Sequence, residues 1–259
     1  MMIEFLRLAE VIRHHSRGEP VYLLGNTGNW GDALIRFGTE RFLESFAIPY
    51  RRLSLDGSLA SRLTLRTASL SRAVLLCMGS GSWCGHFDYL PRTISQIRSR
   101  SRHRKIIVLP STYDRTFDLQ DVLFFRRDEC DSAVHMPVSI FCHDLAFFIG
   151  RIQAPEATQA RLNCFRSDVE SSGSHVIPAG NRDISAEGTE SHEVHPFLEA
   201  LARYREIHTD RLHVAVGGAL LGREVHLYPG RYFKNRAIFS TSFKPNFGNV
   251  HWCERFESD

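Results

Sequence analysis

A chain of 259 residues has room for a large core or for two modest domains. Its composition, 43% hydrophobic and 24% charged, excludes wholesale disorder. A formal charge of +3, with no zinc-finger spacing and no RNP-like aromatic motif, argues against a nucleic-acid binder. Six cysteines occur, none in a C-x-x-C pair and several inside apolar runs, which reads as reduced thiols in a cytoplasmic protein. The N-terminal stretch interleaves Ile3, Leu6 and Val11 with Glu4, Arg7, Glu10 and Arg13, the pattern of an amphipathic helix rather than a leader. No apolar run reaches transmembrane length.

In chain order, a first helix leads into a short apolar strand at 20–24, a glycine-rich loop and a helix at 31–46. A weaker strand is expected at 50–55 and an apolar strand at 73–79. A helix at 89–99 precedes buried strands at 106–112 and 122–128. A second region starts near residue 151. It holds a strand at 161–168, a polar loop at 171–196 and a helix at 196–206. A short strand follows, then a helix capped by Thr209 or Asp210, a strand at 224–228 and a short helix at 234–240. Alternating strands and helices predict an α/β chain with parallel sheets, divided into domains 1–150 and 151–259.

Four stretches offer chemistry. In "GNTGNWGDALI", residues 25–35, a strand runs through Gly25, Asn26, Gly28, Asn29 and Gly31 into a helix whose first turn holds Asp32. Such a turn presents backbone N–H groups and a positive helix end to an anion; the alternative is a purely structural turn. It is neither a Walker loop nor G-x-G-x-x-G. A second turn, Gly79-Ser80-Gly81-Ser82-Trp83, also follows a strand, and ligands of open α/β sheets bind at that edge. Trp83 reads either as a stacking platform or as a core aromatic. In "HTDRLHVAVGGALLG", residues 208–222, Asp210, Arg211 and His213 stand at a helix mouth, where a guanidinium fork suits carboxylate or phosphate and an imidazole suits proton exchange. The alternative is a capping Asp, a surface Arg and a core His. Finally Arg98, Arg100, Arg102, Arg104 and Lys105 form a basic run, either a solvated connection or a contact with anionic lipid. His192 and His195 lie three apart in a polar loop with no third metal ligand beside them.

Taken together, "GNTGNWGDALI", "GSGSW", "VLPST", "FRRDECDS", "HDLAF", "NRDIS" and "TDRLHVAVGGALLGREV" occur in the order expected of the polysaccharide pyruvyl transferase family, which the chain resembles over roughly residues 20–240. The resemblance implies a GT-B-like pair of Rossmann-type domains with parallel sheets facing a central cleft. It implies transfer of the enolpyruvyl group of phosphoenolpyruvate to two hydroxyls of one sugar in a lipid-linked polysaccharide repeat unit. The products are a cyclic pyruvate ketal and phosphate. Arg211, Leu212 and His213 inherit donor binding and activity, with Arg166 as a second donor-binding arginine and Asp32 as a further candidate catalytic group. The acceptor would meet Gly25, Asn26, Gly28, Asn29, Gly31, Asp32, Gly79, Ser80, Gly81 and Trp83. Phosphoenolpyruvate is then the donor substrate, with no cofactor and no metal ion, and the enzyme is cytoplasmic, peripheral at the inner face of the membrane. The sequence departs from the family pattern at "GSGS", at Pro110-Ser111, in the spacing of Ser132 within "RDECDS" and at Leu145. Two other readings stand beside this one: a GT-B glycosyltransferase with a nucleotide-sugar donor, whose ribose would want Glu206 or Glu224, and a non-catalytic carbohydrate-binding relative.

Overall fold

The computed structural model describes residues 1–53, 73–85, 89–100, 105–173 and 177–256. The chain divides into two compact units. The first holds Met1–Thr27 and Gly38–Phe148, the second Gly28–Phe37 and Ile149–Asp259. Each is an α/β unit around one parallel sheet.

In the first unit, strands β1 (Val21–Leu24), β2 (Tyr50–Leu53), β3 (Val74–Cys77), β4 (Lys105–Ser111), β5 (Val122–Arg126) and β6 (Ile140–Phe141) lie in the order β2-β1-β3-β4-β5-β6. Every pairing is parallel. β1 and β3 are buried throughout, as expected of strands covered on both faces. Helix α1 (Met2–Ser16) buries Phe5, Leu8, Ala9 and Ile12, and turns its apolar stripe inward. It stops at Arg17 and Gly18, both at positive φ. Helix α3 (Tyr89–Arg100) buries Leu90, Ile94 and Ile97 at i, i+4, i+7 spacing. Strand order reverses between β1 and β3, which puts the loops after both strands at the switch point where open α/β sheets receive ligands.

In the second unit, β7 (Gln159–Cys164), β8 (Tyr204–Thr209), β9 (Glu224–Leu227) and β10 (Val250–Trp252) pair in sequence order, all parallel. Helices α5 (His195–Ala202) and α6 (Leu212–Leu220) pack on this sheet and on each other; α4 (Asp131–His135) belongs to the first unit and α7 (Lys234–Ile238) to the second. A Cβ on Gly217 would stand 2.8 Å from Leu201 on α5, and one on Gly218 2.8 Å from Val225 on β9. The Gly-Gly pair lets α6 lie closely on both neighbours. α5 is shorter than the helix expected at 196–206, because Tyr204 to Thr209 are taken up as β8.

The first turns of α2 (Trp30–Ser45) group with this second unit. Arg36 donates from Nε to the Glu190 carbonyl at 3.0 Å and from Nη2 to the His192 carbonyl at 2.7 Å. Asn29 bridges Thr189, and the Trp30 ring lies 5.9 Å from that of Phe197. Most of the expected loop at 171–196 thus runs irregularly and is tied down here, with one 3-10 turn at Ile184–Glu187.

Candidate functional site

The site is built where β7 and β8 end. Cys164 stands opposite Thr209 and Thr209 opposite Leu227, so Arg166, Asp210, Arg211 and Tyr228 follow at one sheet edge. The Thr209 hydroxyl donates to the Cys164 carbonyl at 2.7 Å and accepts from the Arg211 amide at 2.9 Å. The Asn235 amide group donates to the carbonyls of Asp210, 2.7 Å, and Tyr228, 2.9 Å. Each turn is therefore fixed by a buried polar contact to the next.

Asp210 does not cap α6. Its Oδ1 accepts the amide of Arg166 at 2.9 Å, so it closes the turn after the neighbouring strand, and Arg211, in extended conformation, occupies the cap position. Burial raises the Asp210 carboxyl to about 6, against the lowering effect of the Arg166 amide and of both guanidiniums.

Both arginines are buried and both forks are engaged. Arg166 holds Asp168 through Nε at 2.7 Å and Nη2 at 3.0 Å, and reaches Glu170 through Nη1. Arg211 reaches Asp168 through Nη1 at 3.0 Å and Asp183 through Nε at 3.0 Å and Nη2. Glu170 also accepts from Lys234 at 2.9 Å and from the Tyr232 hydroxyl at 2.8 Å. Burial pushes the Glu170 carboxyl up, but Lys234 and Arg166 more than reverse this and hold it far below the usual carboxylate range. Asp168, its side chain 43% exposed, is the most open member and bridges the two guanidiniums.

The part of the glycine loop from Gly28 onward, which belongs to the second unit, meets the same edge. Asn29 caps α2, its Oδ1 accepting from the Gly31 amide at 2.7 Å and from the Ser185 hydroxyl at 2.9 Å. Asp32 returns Oδ2 to the Asn29 amide at 3.1 Å, and the two make a reciprocal capping box. Asp32 is therefore engaged in local structure, and a Cβ on Gly28 would lie 1.9 Å from its carboxylate oxygen. A Cβ on Gly31 would stand 3.0 Å from Cβ and 3.1 Å from Nδ1 of His213. The second half of the "GNTGNWGD" loop, "NRDIS" (Asp183 and Ser185) and "DRLH" (Arg211, Leu212 and His213) converge within one unit. Leu212 is buried, while His213 is half-buried in the first turn of α6.

The other expected residues lie in the first unit. β1 and β3 are parallel neighbours, so Gly25, Asn26, Gly79, Ser80 and Gly81 gather at one edge, with Asn26 Nδ2 3.4 Å from the Ser82 hydroxyl. Ser80 Oγ accepts the Ser82 amide at 3.0 Å, a local serine turn. Gly79 is needed for packing, since a Cβ there would meet the Pro110 carbonyl oxygen at 2.4 Å. Trp83 is not an acceptor platform. It is fully buried, edge-on to Phe117 and Phe124 at 4.9 and 5.3 Å and tilted against Tyr113. In the basic run, Arg98 pairs with Asp121 and Lys105 opens β4. The Arg100 side chain, Arg102 and Arg104 lie outside the described residues.

Sequence reasoning missed the carboxylates Asp168, Glu170 and Asp183 that fill the arginine forks. It also missed a group of metal-capable side chains, Glu206, His208 and His226. The signal for that group is a repeated Arg-Glu-x-His, at 205–208 and again at 223–226. Among the described residues no helix is long and apolar enough to cross a membrane.

No protein-family model matches the chain, and no curated protein matches it. Among solved structures, the fold is similar to that of a functionally uncharacterised protein of Klebsiella pneumoniae subsp. pneumoniae, with a TM-score of 0.78 at 23% identity, covering 96% of this chain and 97% of the other.

Proposed function

We propose that the chain is a ketal pyruvyltransferase, which moves the enolpyruvyl group of phosphoenolpyruvate onto two hydroxyls of one sugar in a lipid-linked polysaccharide repeat unit. A GT-B-like pairing of two Rossmann-type domains belongs to the same proposal. The observation that carries it is the meeting of Gly31 and Asn29 with His213, beside Arg211, at one sheet edge. This joins the "GNTGNWGDALI" and "TDRLH" segments of the resemblance, which are far apart in sequence.

In the reaction, one sugar hydroxyl adds to C2 of the donor while the methylene carbon takes a proton. The C2–O bond to phosphate then breaks, and the second hydroxyl closes the ketal as it loses its proton. A donor carrying roughly three negative charges needs guanidinium forks. On this reading it displaces the Asp168 carboxylate from Arg166 and Arg211, while Asp183 and Glu170 keep the two forks aimed. His213 transfers the proton, with Asp210 as the neighbouring carboxyl able to carry one near neutral pH.

A nucleotide-sugar enzyme would need Glu206 or Glu224 for the ribose. Glu206 is held by His208 and His226, and Glu224 by His251 at 3.0 Å. Titration of the purified chain with phosphoenolpyruvate and with nucleotide sugars separates the readings. Saturable binding of phosphoenolpyruvate that is lost in Arg211→Ala supports pyruvyl transfer, and binding of a nucleotide sugar alone removes it.

A further inference from the structure

Arg205-Glu206-Ile207-His208 on β8 and Arg223-Glu224-Val225-His226 on β9 place the same pattern on neighbouring strands. Strand alternation sends Ile207 and Val225 toward Gly218 of α6, and Glu206, His208 and His226 to the opposite face. Register sets His208 beside His226, and the two rings stack with centroids 4.4 Å apart and planes 7° from parallel.

Both rings turn Nε2 to a single oxygen, Glu206 Oε1, at 2.6 Å from His208 and 3.3 Å from His226. Both rings have Nδ1 held from behind. That of His208 is 2.8 Å from the Tyr228 hydroxyl, and that of His226 is 3.6 Å from Cys253 Sγ. Outer partners at Nδ1 hold the rings of metal-binding histidines in orientation, and where they accept the Nδ1 proton they leave the Nε2 lone pair for an ion that takes the place of the contact with Glu206. Arg161 is 3.8 Å from the same Glu206 oxygen, but its side chain is 39% exposed and sits at the rim.

We propose that Glu206, His208 and His226 bind a divalent first-row transition metal ion, best Zn²⁺, on the sheet face opposite α6. The three donor atoms lie within 4.8 Å of one another. Two imidazole nitrogens and one carboxylate oxygen are a ligand set for zinc that leaves a fourth position open, and imidazole nitrogen disfavours Mg²⁺ and Ca²⁺. The inference concerns different side chains from Arg211 and His213 and is independent of pyruvyl transfer.

The test is calorimetric titration of the chelator-treated full chain with Zn²⁺ and with Mg²⁺, together with visible absorption on adding Co²⁺. One Zn²⁺ per chain, no Mg²⁺ heat and a Co²⁺ spectrum of nitrogen and oxygen ligation are expected. Glu206→Gln and His226→Ala should each weaken Zn²⁺ by at least about 100-fold, beyond the 10–100-fold expected for Tyr228→Phe acting through His208. His192→Ala, in the polar loop, should leave it unchanged. Circular dichroism checks folding; if His226→Ala unfolds, Glu206→Gln, whose side chain is 28% exposed, decides. Absence of Zn²⁺ binding, its survival in a folded variant of either residue, or a thiolate charge-transfer band from Co²⁺ overturns the proposal.

Discussion

The backbone amide of Arg166, two residues past the end of β7, donates to Oδ1 of Asp210, one residue past the end of β8, at 2.9 Å. One side chain thus sets the position of one candidate donor-binding arginine and sits directly before the other. Because Asp210 is buried and raised to about 6 from 3.8, its folded form prefers the proton. The stability it contributes is complete below pH 3.8 and is lost as pH rises through about 6. Asp210→Asn keeps an acceptor for the Arg166 amide and removes that loss. Relative to the parent, the variant should gain up to about 3 kcal/mol between pH 4 and 7, read from urea unfolding at each pH. A difference that does not change with pH would refute this role.

Glu170 behaves oppositely. Its carboxyl is held low by Lys234 and Arg166, so its contribution is present above about 4.5, the unperturbed value, and is lost as pH falls through the lowered folded value. Glu170→Gln removes the buried carboxylate that Lys234 and Arg166 share and should cost about 3–5 kcal/mol at pH 7. The gap to the parent should narrow below about pH 4.5, where the unfolded chain takes up a proton that the folded carboxyl does not. Equal losses at pH 7 and pH 3 would contradict the assignment.

In the first unit, Gly79 and Gly85 make a matched pair. A methyl at Gly79 meets the rigid Pro110 carbonyl at 2.4 Å, whereas one at Gly85 meets the Asp114 carboxylate at 3.3 Å and the Arg115 guanidinium at 3.8 Å. Gly79→Ala should lower stability by about 1–3 kcal/mol or more, and Gly85→Ala should change it little, as thermal melting of both variants would register. Equal melting temperatures would show that the β3 turn is not limited by packing against β4.

The α/β class and most elements were legible because buried parallel strands are short apolar runs and their helices carry a 3.6-residue stripe. Arg211 and His213 were legible as residues following a strand end, whereas Arg166 came from the resemblance alone, inside an expected strand at 161–168 that ends at Cys164. What filled the arginine forks was not: Asp168, Glu170 and Asp183 lie in polar stretches without period, and only the folded chain brings them to the guanidiniums. Asp32 read as a candidate catalytic group in the first turn of a helix; its place in the cap depends on its pairing with Asn29 three residues earlier. Trp83 read equally as platform or core, since burial is set by Phe117, Phe124 and Tyr113 from distant segments. The Glu206, His208 and His226 group was hidden because its spacing is that of strands two residues at a time, not of a linear metal motif.

Gly31→Ala and His213→Gln test the junction of the two segments. The added methyl would stand 3.0 Å from Cβ and 3.1 Å from Nδ1 of His213 and 2.9 Å from Asn29 Oδ1, so Gly31→Ala should shift the imidazole and the Asn29 cap by a few tenths of an ångström. His213→Gln should keep phosphoenolpyruvate binding and lose roughly 10²–10⁴-fold in turnover. Stopped-time phosphate release at saturating donor reads both variants. Turnover retained in His213→Gln with weakened donor binding would make His213 a donor ligand only.

The most direct measurement is the mass of the polysaccharide repeat unit from a strain lacking this chain, complemented with the parent or with His213→Gln. The account predicts that each repeat unit loses one pyruvate ketal, that the parent restores it and that His213→Gln does not. A repeat-unit mass unchanged by the deletion would contradict it.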